Sequence, residues 1–458
     1  MKKKYDIIVI GSGAGLNIAR NAASNGHKTA FIEKGRLGGT CLNRGCIPSK
    51  MLIYPAEAAD KIREAAKLDV SVSSEVKVDF KKLLERINQT TLQISNEILD
   101  SVVDKENLDF YHNKACFISD KVVRVGEDEL EAEKIFIGTG SKPLIPDLPG
   151  LKGTDYMTST EALTRDDLPK SMIVIGAGYI ATELGYAYSA CGCDVDFVVR
   201  SRFLRKEDAD ISDVFQKVFT KHHKVHQGYS PVKVTKDGGL FNLDCVNKDG
   251  QAKTLTAEAL LIALGVVPDT DTLGLENTGV QIDQNGNIIV DDRLGTGVPG
   301  VFAFGDAVGN FLFRHTANYE SKYLLNIHIF GGPLKPIDYG PVPHAVFSYP
   351  EIAGVGMTEQ QVNDTGAEYV IGIADYKDST PGLVRQSEHG MVKLIFNRQS
   401  RVLLGAHIVG DEAATMLHMF IAFMKMNATL DEMLDMIFIH PALPEVAKEA
   451  LLKAKNRF

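Results

Sequence analysis

The chain has 458 residues, 44% of them hydrophobic, with a formal charge of -9 at pH 7, enough length for about two to four domains each with its own core. That acidic balance excludes the clustered Lys and Arg of a nucleic-acid footprint. No apolar run reaches the roughly 18 residues of a membrane span, because "MIVIGAGYIATELGYAYSACG" is interrupted by Glu183 and several glycines, so a soluble cytoplasmic protein is expected, in which a disulfide is catalytic or redox-sensing.

"MKKKYDIIVI" has the basic start and apolar run of a signal peptide, but Asp6 interrupts it and a glycine turn follows. Residues 5–10, "YDIIVI", are expected to form a buried parallel strand, followed by "GSGAG" and the helical pattern "LNIARNAASNG". Gly11 and Gly13 supply the tight turn and close backbone approach that a pyrophosphate at a helix N-terminus requires. The next strand, "KTAFIEK", ends at Glu33, where a carboxylate accepts from ribose hydroxyls. Leu16 stands where the fingerprint expects Gly or Ala, the small residue that serves helix-strand packing.

Next comes "GGTCLNRGCIPSK", which holds two of the six cysteines. In a regular helix, residues five apart lie about 7.5 Å apart along the axis and on different faces, outside the disulfide range of about 4.4–6.8 Å between Cα atoms. Cys41 and Cys46 can therefore pair only across a break. Asn43 and Gly45 tolerate loop dihedrals, and Pro48 suits the first turn of a helix starting near Cys46. A thiol at a helix N-terminus is favoured as thiolate. A metal site needs about four ligands and none stand nearby, which leaves a redox couple or buried packing cysteines.

"AEKIFIGTGSKPLIP" is a strand entering a turn at Gly138, Gly140 and Pro143 that closes the first domain. Residues 171–199 repeat the nucleotide-binding plan: strand "SMIVI", turn "GAGYIA" with Gly176, Gly178 and Ala181 in place, a helix to about Ala190, and strand "DVDFVV". The acid expected after that strand is replaced by Arg200, followed by Arg202, Arg205 and Lys206. Guanidinium and ammonium groups suit a 2′-phosphate, hence NADP(H); the other reading is a solvated basic loop beside Glu207 and Asp208. Cys191 and Cys193 flank a helix end as packing residues, and Cys116 and Cys245 are isolated. His222, His223 and His226 have helical spacing but no further ligand, and are expected at a solvated helix end, with no metal. "LIALGVVPDT" repeats the turn pattern at Gly265 and Pro268, and "GVFAFGDAVG" puts Asp306 at a strand end, where it can bind a polyol or ribose hydroxyl. From "VPHAVFSYPEIAGVGMTEQQ" onward, short strands and then helices indicate an α+β domain.

The cysteine motif, the two fingerprints, "GVFAFGD" and "HPALPE" together resemble the class I pyridine nucleotide-disulfide oxidoreductases, the family of dihydrolipoamide dehydrogenase, glutathione reductase, mercuric reductase and mycothione reductase. The resemblance covers essentially the whole chain. It implies an α/β fold with two Rossmann-like domains and a C-terminal α+β dimerisation domain: FAD-binding 1–147, NAD(P)H-binding 148–268, a central segment 269–337 completing the FAD site, and an interface domain 338–458. FAD would lie on Gly11, Gly13, Glu33, Lys50, Gly140 and Asp306. NAD(P)H would lie on Gly176, Gly178, Tyr179, Ala181 and Gly265, with Arg200, Arg205 and Lys206 reading the phosphate. Cys46 would face the flavin and Cys41 would attack the substrate disulfide. Lys50 and Glu183 match the family pair beside the flavin, and Tyr179 a tyrosine that gates the nicotinamide pocket. His440 and Glu445 match an acid-base dyad supplied by the second subunit of a homodimer, a task suited to an imidazole oriented by a carboxylate.

No cysteine follows Cys245 and no metal-binding or lipoyl domain precedes Met1, so electrons are expected to leave Cys41 directly for a small disulfide. "FLFRHTANYES" and "IHPALPEVAKEALL" look most like mycothione reductase, an NADPH enzyme for a low-molecular-weight disulfide. The alternative is dihydrolipoamide dehydrogenase, passing electrons from a lipoyl-type dithiol to NAD. A non-enzymatic flavin redox sensor is a third reading, which the complete set Lys50, Glu183, His440 and Glu445 argues against.

Overall fold

Apolar strands that end in glycine turns build one mixed and one parallel sheet in the computed structural model, which describes residues 1–458. The chain divides into two units: Met1–Ser49, Leu84–Leu144 and Gly265–Tyr339 form one, and Lys50–Leu83, Ile145–Leu264 and Gly340–Phe458 the other.

In the first unit the strand order is Leu108–His112, Thr29–Glu33, Lys2–Ile10, Asp128–Ile137, Val122–Val125, Ala115–Ser119. The first four strands run parallel and the last two return antiparallel. The long strand Asp128–Ile137 is shared on one edge: Val122–Val125 pairs with its start and Val301–Ala303 with its end, Val301 opposite Ile135. Both faces of this sheet are covered, so strand side chains alternate between two cores. Ile7, Val9 and Phe31 pack with Ile18, Ala19 and Ala22 of the helix Gly15–Ser24, while Ile8, Ile10 and Ile32 pack with Phe117 and Val123 on the other side. Each such buried side chain contributes about 1.5–3 kcal/mol, which is why "IIVI" is apolar at every position.

The second unit holds a parallel sheet in the order Lys224–Gln227, Asp194–Val199, Ser171–Ile175, Ala259–Ile262 and a three-stranded antiparallel sheet over 230–257. It also holds a five-stranded antiparallel sheet in the order Pro343–Val346, Ile352–Gly356, Leu403–Val409, Met391–Asn397, Tyr369–Asp375. Helices Ala413–Lys425 and Pro444–Lys455 share a core with this last sheet through Phe420, Val446 and Leu451. No helix is long and apolar enough to cross a membrane.

Candidate active site

The first glycine turn is built for a backbone crossing. Gly11 has φ +101°, and a Cβ there would stand 2.2 Å from the Gly138 carbonyl oxygen. The helix Gly15–Ser24 starts without a side-chain cap, so no side chain occupies the helix end where an anion is favoured. The Glu33 carboxylate accepts from Ser12 N–H and Gly35 N–H, each at 2.8 Å, which holds it over the turn. Ser12 Oγ in turn accepts from Gly38 and Gly39 N–H at 3.1 and 3.2 Å, joining the turn to the cysteine segment. Close helix-strand approach occurs at Gly15, where a Cβ would lie 3.0 Å from Val9 Cγ1. The small residue expected at position 16 is therefore supplied one position earlier, and Leu16 packs part-buried against the core.

Asp306 lies on a short helical turn after Val301–Ala303 and accepts one hydrogen bond, from Ser141 Oγ at 2.6 Å. Burial pushes its carboxyl above the ordinary range. Thr139 Oγ1, in the turn after Asp128–Ile137, is buried without a hydrogen-bond partner. A carboxylate with spare lone pairs, an orphaned buried hydroxyl, uncapped helix amides and Glu33 at the end of the second strand fit a bound dinucleotide. Gly140 and Gly265 sit at either end of a small ribbon in this unit, where Ser141–Pro143 pairs with Val266–Pro268.

The cysteine segment breaks where pairing requires it, though more sharply than expected. Helix Gly39–Arg44 carries Cys41, Gly45 ends it at φ −145°, ψ −119°, and helix Cys46–Arg63 starts at the second cysteine. A Cβ on Gly45 would stand 2.9 Å from Thr40 O and 3.3 Å from Cys41 Cα, so the junction between the two helices has no room for a side chain. Asn43, expected to adopt loop dihedrals, is helical, and its side-chain amide donates to Leu37 O at 2.9 Å and Gly39 O at 3.0 Å. Cys41 is half-buried and Cys46 exposed. Three other cysteines differ in environment as well as place: burial pushes the Cys191 and Cys193 thiols up to about 12 and Cys245 up to about 11, which disfavours the nucleophilic thiolate there.

The second unit repeats the glycine crossing. Gly176 has φ +141°, and a Cβ there would meet the Ala263 carbonyl oxygen at 2.2 Å and Ala181 Cβ at 3.3 Å. Gly178 is exposed at the N-terminus of helix Tyr179–Ala190 and no side chain caps it. Glu183, on this helix, accepts from Lys50 Nζ at 2.7 Å. Its other oxygen accepts from Phe347 N–H at 3.0 Å, and the Lys50 ammonium lies 4.6 Å from the Phe347 ring centroid. Phe347 had no signal in the sequence, because its contribution is a backbone amide and a ring face brought in from the residue after the strand Pro343–Val346.

Arg200, Arg205 and Lys206 are exposed after the strand Asp194–Val199. The acids that follow them are not part of a solvated loop. Glu207 accepts from Tyr179 Oη at 2.5 Å and pairs with His344 Nε2 at 2.7 Å, its side chain 1% exposed. Asp208 is fully buried against Lys393 Nζ at 2.8 Å, and Lys393 also reaches Asp210 and Glu359. Burial alone would raise both carboxyls, but the bonds to His344 and Lys393 hold them below the ordinary range. The expected solvated helix end at "KHHKVHQ" holds only for His222. The His223 ring packs 4.1 Å from the Phe219 ring centroid and burial pushes it down to about 4, while His226 Nε2 meets Asp196 at 2.5 Å.

His440 Nδ1 lies 3.0 and 3.1 Å from the two oxygens of Glu445, in the first turn of Pro444–Lys455. The hydrogen bond from His440 holds the Glu445 carboxyl below its ordinary range, so an ionised Glu445 accepts from Nδ1–H.

Residues 5–321 match the family model described as pyridine nucleotide-disulphide oxidoreductase, and residues 342–451 match the dimerisation domain of the same family. The chain is 34% identical to a mycothione reductase from Mycobacterium tuberculosis, over 98% of this chain and 99% of that protein. It is 32% identical to a dihydrolipoyl dehydrogenase from Rhizobium etli, over 100% and 99%. Among solved structures, the HOCl-induced flavoprotein disulfide reductase RclA from Escherichia coli superposes with a TM-score of 0.86 at 27% identity, covering 99% of each chain.

Proposed function

The chain belongs to the pyridine nucleotide-disulphide oxidoreductase family, FAD-dependent enzymes that use NAD(P)H, and from that premise we propose that it carries electrons from NADPH through FAD and a Cys41–Cys46 disulfide to a low-molecular-weight disulfide. The observation that carries this reading is the exposed set Arg200, Arg205 and Lys206 at the strand end where a carboxylate would read free ribose hydroxyls.

Gly11, Gly13, Glu33, Gly140 and Asp306 would hold FAD, with Thr139 Oγ1 as a further partner, and the bound flavin would supply hydride acceptance from the nicotinamide and two-electron donation to the cysteine pair. Lys50, fixed by Glu183 and Phe347, keeps one positive charge on the helix that Cys46 opens. Reduction breaks the Cys41–Cys46 bond: two electrons and one proton yield a Cys46 thiolate, stabilised by its helix N-terminus, and a Cys41 thiol. His440 of a second copy accepts the Cys41 proton at Nε2, with Glu445 fixing its tautomer. The Cys41 thiolate attacks the substrate disulfide, forming a mixed disulfide and releasing one thiolate, which the imidazolium protonates. Cys46 then attacks Cys41 Sγ, restores the internal disulfide and releases the second thiolate, which takes a proton from water. One disulfide, one NADPH and one proton thus give two thiols and NADP⁺.

Exposure beside the dyad supports a homodimer: Ile437 is 99% and Ile439 77% exposed in this chain, an apolar patch suited to burial against another copy. Inactive Cys41→Ser and His440→Ala homodimers, mixed and reassorted, should regain partial activity through heterodimers with one intact site; no recovery after demonstrated exchange would put the dyad within one chain. The substrate is tested by steady-state turnover on low-molecular-weight disulfides, with NADPH and NADH, against lipoamide in both directions. We expect faster turnover of a low-molecular-weight disulfide with NADPH. Dominant oxidation of dihydrolipoamide with NAD would replace this reading with that of a dihydrolipoyl dehydrogenase.

A further inference from the structure

We propose that Glu207 is a positioning residue for the coenzyme: it straps the basic loop 200–206 to the second glycine turn, so that Arg205 and Lys206 meet a 2′-phosphate from a loop already ordered. This rests on the NADPH reading above. The loop is attached to the turn twice. Leu204 N–H donates to Ala177 O, inside the turn itself, at 2.9 Å. Glu207 then accepts from the hydroxyl of Tyr179, the first residue of the helix that leaves the turn. A third attachment runs from the other Glu207 oxygen to His344 on the strand Pro343–Val346.

The loop backbone is committed to this path. Leu204 has φ +48°, a left-handed conformation uncommon for leucine, and its side chain is buried together with Phe203. Glu207 N–H closes back on Leu204 O at 2.9 Å. A buried carboxylate is costly unless its oxygens are hydrogen-bonded, and here both are. Asp208 adds a second anchor: it caps the helix Ala209–His222 through Asp210 N–H at 3.2 Å, accepts from Glu359 N–H at 2.9 Å, and pairs with Lys393. The two residues before these anchors, Arg205 and Lys206, are exposed, and neither they nor Arg200 forms an ion pair within the chain. Arg202 is occupied, bonded to Ala209 O at 2.9 Å and to Asp213 at 3.0 Å, which excludes it from the phosphate-reading set.

The physical consequence is preorganisation. A mobile loop would lose backbone entropy each time it closed on a phosphate, whereas a strapped one has lost it on folding. Removing the strap should therefore weaken the 2′-phosphate contacts selectively.

The test is calorimetric binding of adenosine 2′,5′-bisphosphate and of AMP to the flavin-loaded enzyme, with flavin content and melting temperature recorded for each variant. Wild type should prefer the bisphosphate. Glu207→Ala should weaken the bisphosphate about tenfold, the value of one charge-assisted hydrogen bond, and leave AMP within about twofold. Glu207→Gln, which still accepts from Tyr179, should keep most of the preference. Equal affinities in wild type would overturn the NADPH reading itself. A wild-type preference that persists in Glu207→Ala would overturn the strap alone. If Glu207→Ala does not fold, His344→Leu, which removes the partner of the other Glu207 oxygen, carries the test, with the same selective loss expected at smaller size and an unchanged ratio counting against the proposal.

Discussion

The turn at Gly11 and the turn at Gly176 solve the same backbone problem, a left-handed glycine pressed within 2.2 Å of a neighbouring strand's carbonyl at the position of a Cβ. They differ in what lies beyond the following strand. After Thr29–Glu33, the carboxylate of Glu33 is locked by two backbone amides over its turn. After Asp194–Val199, the first side chain is the exposed Arg200, and the nearest carboxylates are buried and turned to Tyr179, His344 and Lys393. On the proposed reading, the glycine crossing would take a diphosphate in either unit, and the strand-end side chain would select the ribose.

The redox segment has no counterpart at the second turn, and its loss should have the largest effect. Cys41→Ser and Cys46→Ser should each lower disulfide turnover by about a thousandfold or more. Only Cys46→Ser should also abolish the long-wavelength absorbance that two-electron reduction produces from a thiolate beside flavin; the opposite pattern would mean the two sulfurs are assigned backwards.

Alanine at the crossing glycines separates the two turns. Gly11→Ala should purify with little flavin. Gly176→Ala should retain flavin while raising KM for both coenzymes about ten- to a hundredfold, from strain plus the clash with Ala263 O. Equal flavin content in the two variants would erase the distinction between the sites.

A smaller effect is expected at the strand end. Arg200→Glu should move the NADPH-to-NADH ratio of kcat/KM by about tenfold or more toward NADH, because the carboxylate accepts from free ribose hydroxyls and repels phosphate. Glu207 and Asp208 are buried in ion pairs, so they do not oppose the phosphate as solvated acids would. Equal use of both coenzymes by the wild type would remove the basis for this assignment.

Smallest of all, Leu16→Ala installs the small residue that the fingerprint expects. Flavin affinity should stay within about twofold and stability should fall by about 1 kcal/mol, as expected for trimming a part-buried leucine, since Gly15 already provides the close approach to Val9. A gain in flavin affinity, read by titration of the apoprotein, would restore position 16 to that role.

Local pattern determined much of this protein. Continuous apolar runs ending in glycine marked the parallel strands: the second nucleotide unit was expected as strand "SMIVI", a helix to about Ala190 and strand "DVDFVV", and the structure has Ser171–Ile175, Tyr179–Ala190 and Asp194–Val199. Such signals are legible because burial on both faces of a sheet, and the steric demand of a crossing glycine, act on residues next to one another. Tertiary structure alone decided the partners of charged side chains. Glu207 reads as a surface acid beside two cations until His344, 137 positions away, and Tyr179 close over it. Phe347 carries no signal in the sequence, and only the fold brings its amide to Glu183 and its ring to Lys50. His223 reads as one of three solvated histidines until it packs against Phe219 and Phe197. Whether a charge is solvated or buried depends on groups brought together from distant parts of the chain, and a hydrogen bond between them leaves no periodicity in the sequence.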